Sequence, residues 1–169
     1  MSQYWEDRRD AIYLFVVKQI CKKFSPSPSS VIDIGSNGTP TLEWFRTDSA
    51  NVNRLVSLDL RNPYVSPGVE SIKMNLMNYQ PTDTFDLVTC LQVLEHVPDP
   101  TAFGRKLLDL GRIVIVSVPY RWPKGACKYH IHDPVTSALL QQWMGKQPKF
   151  KYIAKELNNK ERLIHVYLN

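Results

Sequence analysis

The chain has 169 residues, of which 43% are hydrophobic and 22% charged. That composition and length suit one globular domain with its own core, and no apolar run approaches the ~20 residues needed to span a bilayer. Net charge is +5, with a basic excess at Lys146, Lys149, Lys151, Lys155, Lys160 and Arg162, which reads first as a solvated face on edge strands and only second as a nucleic-acid footprint. Cys21, Cys90 and Cys127 are odd in number, far apart and without a C-x-x-C pair, which argues against a disulfide framework or a cysteine zinc site. The opening MSQYWEDRRDAIYLFVV lacks the charge order and small-residue cleavage site of a signal peptide, so a cytoplasmic protein is expected.

From Gln3 to Phe24 apolar residues recur at helical spacing, among them Trp5, Ile12, Phe15, Val16 and Ile20, until SPSPSS breaks the pattern. Ser30 to Ile34 reads as a buried strand. Thr39 as N-cap and Pro40 as first helical residue predict a short helix through about Phe45. Val52 to Leu60 is a second strand ending at Asp59, VESIKMNL from Val69 a third, and Phe85 to Leu91 a fourth. After VLEHVPDP a helix is expected from about Thr101 to Leu110 with Gly111 as its stop, followed by RIVIVSVPY as a fifth strand. Asp133 and Pro134 are placed to cap another helix ended by Gly145, and KFKYIAKEL and ERLIHVYL flank Asn158 and Asn159 as a closing hairpin. Strands alternating with helices predict an α/β, Rossmann-like three-layer sandwich, its mostly parallel seven-stranded sheet ending in an antiparallel C-terminal hairpin. Ligands in such sheets bind outside the carboxyl ends of the strands, where the Gly35 loop, Asp59, Asn75, Gln92 to His96 and Pro119 to Asp133 all fall.

The segment VIDIGSNGTP is a strand turning through a glycine loop, yet it has neither the G-x-G-x-x-G spacing of a dinucleotide site nor the lysine of a phosphate-cradling loop. Together VIDIGSNG, SLDL and FDLVTCLQVLEHVPDP resemble the class I S-adenosylmethionine-dependent methyltransferases, in particular the ubiquinone-biosynthesis O-methyltransferases and their type 11 relatives. The resemblance implies a single methyltransferase domain over residues 1–169, its N-terminal helix (1–24) placed to cover the active site, and S-adenosyl-L-methionine as cofactor. It assigns cofactor contacts to Asp33, Gly35, Ser36, Asn37, Asp59, Leu60, Asn75, Leu76, Leu91 and Gln92. In that assignment Asp33 orients the loop and the methionine amino group, Asp59 grips the ribose hydroxyls, Asn75 accepts from the adenine amino group, and Gln92 lines the methionine part. The family's D-x-G-x-G-x-G becomes Asp33-Ile-Gly35-Ser-Asn37-Gly-Thr39, with Asn37 in place of a glycine and able to take positive φ.

On the acceptor side stand Gln92-x-x-Glu95-His96 and Tyr129-His130-Ile131-His132-Asp133, with the histidines of the second segment projecting together if it is extended. The first resembles the E-x-x-E-H metal motif of small-RNA 2′-O-methyltransferases, which a later histidine completes, and a similar motif in the ubiquinone enzymes; Gln92 replaces its first acid. Three roles stay open: structural packing with Glu95 at the surface, general-base work by the candidate catalytic residues His96 or His130, and a divalent ion held by the cluster. No metal is assigned. Tyr120, Trp122 and Tyr129 are candidates to stack on a planar or sugar-like acceptor, with burial over the sheet edge as the equal alternative. The expected reaction is methyl transfer to a small molecule, at oxygen, by a monomer or homodimer. RNA methylation and non-catalytic binding are the alternatives, with nucleic acid not the expected partner.

Overall fold

The computed structural model describes residues 12–48, 51–156 and 159–169, so the expected helix before Ile12 lies outside the described residues. Helix α1 (Ile12–Phe24) buries Tyr13, Leu14, Val17, Ile20 and Cys21. This stripe is rotated from the expected one, since Phe15 is 65% exposed and Ile12 lies at the surface. Strand β1 (Ser30–Ile34) lies between β2 (Arg54–Asp59) and β4 (Phe85–Leu91), parallel to both. Both of its faces are covered, which is why it reads as a nearly continuous apolar run. Helix α2 (Glu43–Asp48) begins later than Thr39 and Pro40 suggest. Thr39 N–H closes a turn on the Ser36 carbonyl, and the Thr41 hydroxyl is committed to Asp33, so the chain turns twice before it coils.

Strand β3 (Val69–Lys73) is shorter than VESIKMNL, because Leu76–Asn78 closes into a 3-10 turn whose Met77 N–H is capped by the Asn75 side chain. Helix α3 (Pro100–Leu110) starts at Asp99, whose carboxylate accepts from the N–H groups of Thr101 and Ala102, with Pro100 at the first helical position. Gly111 is extended (φ −155°) and opens β5 (Gly111–Pro119) rather than ending α3 in a left-handed turn. Helix α4 (Ser137–Met144) is capped by Thr136, not by Asp133, and Gly145 (φ 65°) closes it as expected. Strands β6 (Phe150–Lys155) and β7 (Glu161–Leu168) form the antiparallel hairpin.

Among the described residues one seven-stranded sheet has the order β3-β2-β1-β4-β5-β7-β6. Its helices segregate by face. One apolar cluster joins Ile32, Ile34, Val88 and Val116 to Leu107, Leu140 and Trp143 of α3 and α4. The other joins Val31, Leu55, Leu87 and Ile164 to α1 and Phe45 of α2. Neighbouring strand residues alternate between the clusters, as the pleat requires. The sequence direction of the sheet reverses between β1 and β4, which opens a crevice at their carboxyl ends. No helix among the described residues is long and apolar enough to cross a membrane.

Candidate functional site

A cleft of about 1050 Å³ opens at that crevice. Gly35, Asn37 and Gly38 turn the loop after β1 with φ of 74°, 45° and 76°, so Asn37 does adopt the left-handed region that asparagine tolerates better than other side chains. The Gly35 N–H donates to the Leu58 carbonyl, and a Cβ on Gly35 would lie 2.3 Å from Val93 Cγ2. Glycine is therefore required where the loops after β1 and β4 touch. Asn37 N–H donates to Asp59 Oδ2, while Asp59 Oδ1 accepts from the N–H groups of Arg61 (2.7 Å) and Asn62 (2.9 Å). One carboxylate thus fastens the glycine loop and the turn after β2, and still faces the cleft.

Of the expected cofactor contacts, Gly35, Asn37, Asp59, Leu60, Asn75, Leu76, Leu91 and Gln92 line this cleft, and Asp33 and Ser36 do not. Asp33 is turned into the protein and is 2% exposed; its oxygens accept from the hydroxyls of Thr41 (2.5 Å) and Thr89 (2.6 Å). Burial pushes its carboxyl up to about 6, against the pull of the two hydroxyls and with a smaller push from the Asp59 charge. It shapes the loop from behind. Ser36 is likewise internal, with its hydroxyl 2.8 Å from that of Ser57 and accepting from Tyr64 N–H. Asn75 uses its side-chain oxygen on Met77 N–H, which leaves that oxygen a second lone pair.

Gln92 sits at the end of β4 with φ 61°, a conformation costing a non-glycine residue about 1–2 kcal/mol. Its N–H donates to the Ser117 carbonyl, its Nε2 to Ser117 Oγ, and its Oε1 accepts from Arg162. The amide oxygen is therefore engaged by a guanidinium, whose positive charge disfavours a metal ion at the same oxygen.

At the other end of the cleft the potential ligand atoms of Glu95, His96 and His130 all lie within 4.8 Å of one another. Glu95 has no exposed surface, contrary to its expected place on a solvated helix face. His96 Nδ1 is 2.9 Å from the Tyr129 carbonyl oxygen. A carbonyl only accepts, so Nδ1 carries a proton. The His96 Nε2 lies 3.8 Å from Glu95 Oε1. His130 Nδ1 is 2.8 Å from Asp133 Oδ2, the arrangement in which a carboxylate orients an imidazole. His132 does not accompany His130: its Nε2 contacts the Val97 carbonyl oxygen and its ring packs on Trp143. Trp122 also turns inward, 9% exposed, whereas Tyr129 is 66% exposed at the cleft.

Sequence reasoning missed the apolar wall formed by Val93, Met74, Met77 and Phe103, for which only proximity to Asn75 and Gln92 was a signal. It also missed Thr41 and Thr89 as the partners of Asp33, and Arg162 as a buried residue; a lone arginine in the alternating ERLIHVYL is the one hint. Lys151 and Lys155 do lie exposed on the edge strand β6.

A family model for methyltransferase domains matches residues 4–152. The ubiquinone biosynthesis O-methyltransferase of Ralstonia nicotianae is 30% identical over 89 residues, which cover 47% of this chain and 37% of that enzyme. The matched part is thus little more than a third of the curated relative's length. The N-methyltransferase NodS of Bradyrhizobium japonicum, in complex with S-adenosyl-l-homocysteine, superimposes with a TM-score of 0.67 at 12% identity, covering 95% of this chain and 89% of that one. The 1,6-didemethyltoxoflavin-N1-methyltransferase of Burkholderia thailandensis, with its namesake ligand and S-adenosylhomocysteine bound, gives a TM-score of 0.68 at 15% identity, covering 98% and 83%. At these identities the two structures share the fold.

Proposed function

The chain belongs to the methyltransferase domain family, and on that premise we propose that it transfers a methyl group from S-adenosylmethionine to an oxygen of a small-molecule acceptor, with His96 or His130 as the base. The observation that carries the reading is the meeting of His96 and His130 at one end of the cleft whose other end is the Gly35–Asn37–Asp59 loop. The donor fits the residues present. The glycine turn leaves the loop backbone bare, Asp59 offers a carboxylate to a diol, and the cleft is long enough for the cofactor with an acceptor beside it. S-adenosylmethionine supplies an electrophilic sulfonium methyl. The chain's tasks are then to hold the acceptor in line and to take its proton, because a hydroxyl is a poor nucleophile until ionised. His130, oriented by Asp133, and His96, fixed by the Tyr129 carbonyl, are the two rings of the cleft placed to take that proton.

A second reading has one observation in its favour. The potential ligand atoms of Glu95, His96 and His130 lie within 4.8 Å of one another, and a divalent ion bound by the three would acidify an acceptor hydroxyl. One experiment covers the two. Purified protein is screened for methyl transfer to phenols, sugars and carboxylates, and His96→Ala and His130→Ala are then tested for rate and for S-adenosylhomocysteine affinity. A base role predicts a rate loss of about 100- to 10,000-fold for one variant at unchanged affinity. A metal role predicts that chelator abolishes activity, that an added divalent ion restores it, and that Glu95→Ala is as damaging as the histidine changes. Full activity in all three variants with chelator present would remove both roles.

A further inference from the structure

Arg162 stands at the start of β7, opposite Pro119 of β5, and is 8% exposed. Its guanidinium lies 4.3 Å from the Trp122 ring centre and 5.3 Å from that of Tyr13. An arginine held against aromatic rings keeps a fixed plane, so its N–H fork points in one direction. Here it points at Gln92: one terminal nitrogen donates to Gln92 Oε1, while Gln92 Nε2 donates to Ser117 Oγ at 3.0 Å. The amide is tied at both ends and has one allowed orientation, because a flip would set its NH₂ against the guanidinium. The residue so tied is the one at the end of β4 with φ 61°, and it lines the cleft. A left-handed glutamine persists only where its surroundings over-determine it.

We infer that Arg162 is a positioning residue for the cofactor. It acts through the Gln92 side chain to hold the end of β4 in the left-handed conformation that forms the cleft floor, without itself touching the ligand. The inference rests on the reading that Gln92 borders the cofactor. If Arg162 is removed, Gln92 Oε1 loses its donor in a buried setting, and the two Ser117 contacts are left to hold the left-handed backbone. A glycine at position 92 would need no such clamp, since it takes positive φ unaided.

A double-mutant cycle tests this, with S-adenosylhomocysteine affinity read by calorimetry and folding by thermal unfolding. Arg162→Met, which keeps an aliphatic stem over Trp122, is expected to weaken binding about tenfold in the Gln92 background and to leave it unchanged in the Gln92→Gly background, the non-additivity expected of residues that act as a unit. A merely structural arginine would lower the unfolding temperature and affinity alike in both backgrounds, and that result overturns the proposal, as does unchanged affinity of Arg162→Met with Gln92 present. Ser117→Ala loosens the same amide without removing a buried cation, so it serves if Arg162→Met does not fold; it should weaken binding in the Gln92 background only, and equal affinities in the two backgrounds overturn the proposal. Gln92→Trp separates the premise from the inference. If it leaves affinity intact, Gln92 does not border the cofactor and the premise fails; if it weakens binding while Arg162→Met does not, the premise stands and the positioning role falls.

Discussion

The two ends of the cleft are built differently. At the β1 and β2 end the polar groups are answered by neighbours on adjacent parallel strands: Gly35 N–H by the Leu58 carbonyl, Asn37 N–H by Asp59, and Tyr64 N–H by Ser57 Oγ. At the β4 end two loops lean on one another across some thirty-five positions of sequence. His96 Nδ1 meets the Tyr129 carbonyl, His132 Nε2 the Val97 carbonyl, and Ile131 N–H the Glu95 carbonyl. The first end takes its shape from sheet register together with Gly35, Asn37 and Asp59, close to the strands that carry them. The second takes it from the docking of 120–133 onto 92–99 and is free to vary without disturbing the sheet. A conserved ligand at one end and a changeable acceptor at the other is what such a division of labour suits.

The largest expected effect tests the rigid end. Gly35→Val places a β-branched side chain at φ 74°, with its Cβ 2.3 Å from Val93 Cγ2, and S-adenosylhomocysteine binding should be lost. Asn37→Gly relaxes the same turn and should be tolerated, because asparagine at φ 45° already behaves as a glycine substitute there. Calorimetry on the two variants checks the contrast. Comparable binding by Gly35→Val and wild type would mean that the loop, too, is adaptable.

The same contrast decides what could be read from the sequence. The succession of strands along the chain, the hairpin and the VIDIGSNG turn were legible because each depends on short-range pattern: buried strands flanked by turn residues, and a glycine where the chain must turn left-handed. Whether Asp33 and Trp122 face the cleft or the core was not legible, because nothing local tells which way a side chain leans between two packed layers. Asp133 was given to a helix cap by the D-P dipeptide, whereas the folded chain gives it to His130. Glu95 at the surface was the natural expectation for an acid, and only the closing of the 120–133 loop over it explains its burial. Arg162 looked like one more cation of a basic face until Trp122 and Tyr13 were seen against it.

A pH-dependence sharpens the role of Asp33 as scaffold. Its folded carboxyl titrates at about 6, above the ordinary 3.8, so its contribution to stability is full at low pH and is lost as pH rises through about 6. His165 works in the opposite sense. Burial and the Lys151 charge lower it from 6.5 to about 4, so its contribution is present above 6.5 and is lost as pH falls toward 4. The terms oppose one another between those values and flatten the wild-type curve. Asp33→Asn removes only the first. Its stability relative to wild type, from urea unfolding, should rise by about 2 kcal/mol between about pH 4 and about pH 7, and a pH-independent difference would show that Asp33 is charged throughout.

A finer contrast separates scaffold from contact at Asp59. The carboxylate accepts from Asn37, Arg61 and Asn62 N–H groups before any ligand arrives, so part of any loss on mutation comes from slackening of the loop. Asp59→Ala should weaken S-adenosylhomocysteine binding by about 1.5–3 kcal/mol, the range for hydrogen bonds to a charged group. Asp59→Asn keeps one acceptor oxygen for the Arg61–Asn62 turn but presents an NH₂ where Asn37 N–H donates, and should cost about 1 kcal/mol. Affinity alone does not apportion the loss, whereas the 2′-deoxy analogue of the ligand does. If Asp59 grips the ribose diol, wild type prefers the ribose form and Asp59→Ala loses that preference. If Asp59 only fastens the loop, the variant weakens both ligands by the same factor and the preference survives, which would place ribose recognition elsewhere on the rigid end of the cleft.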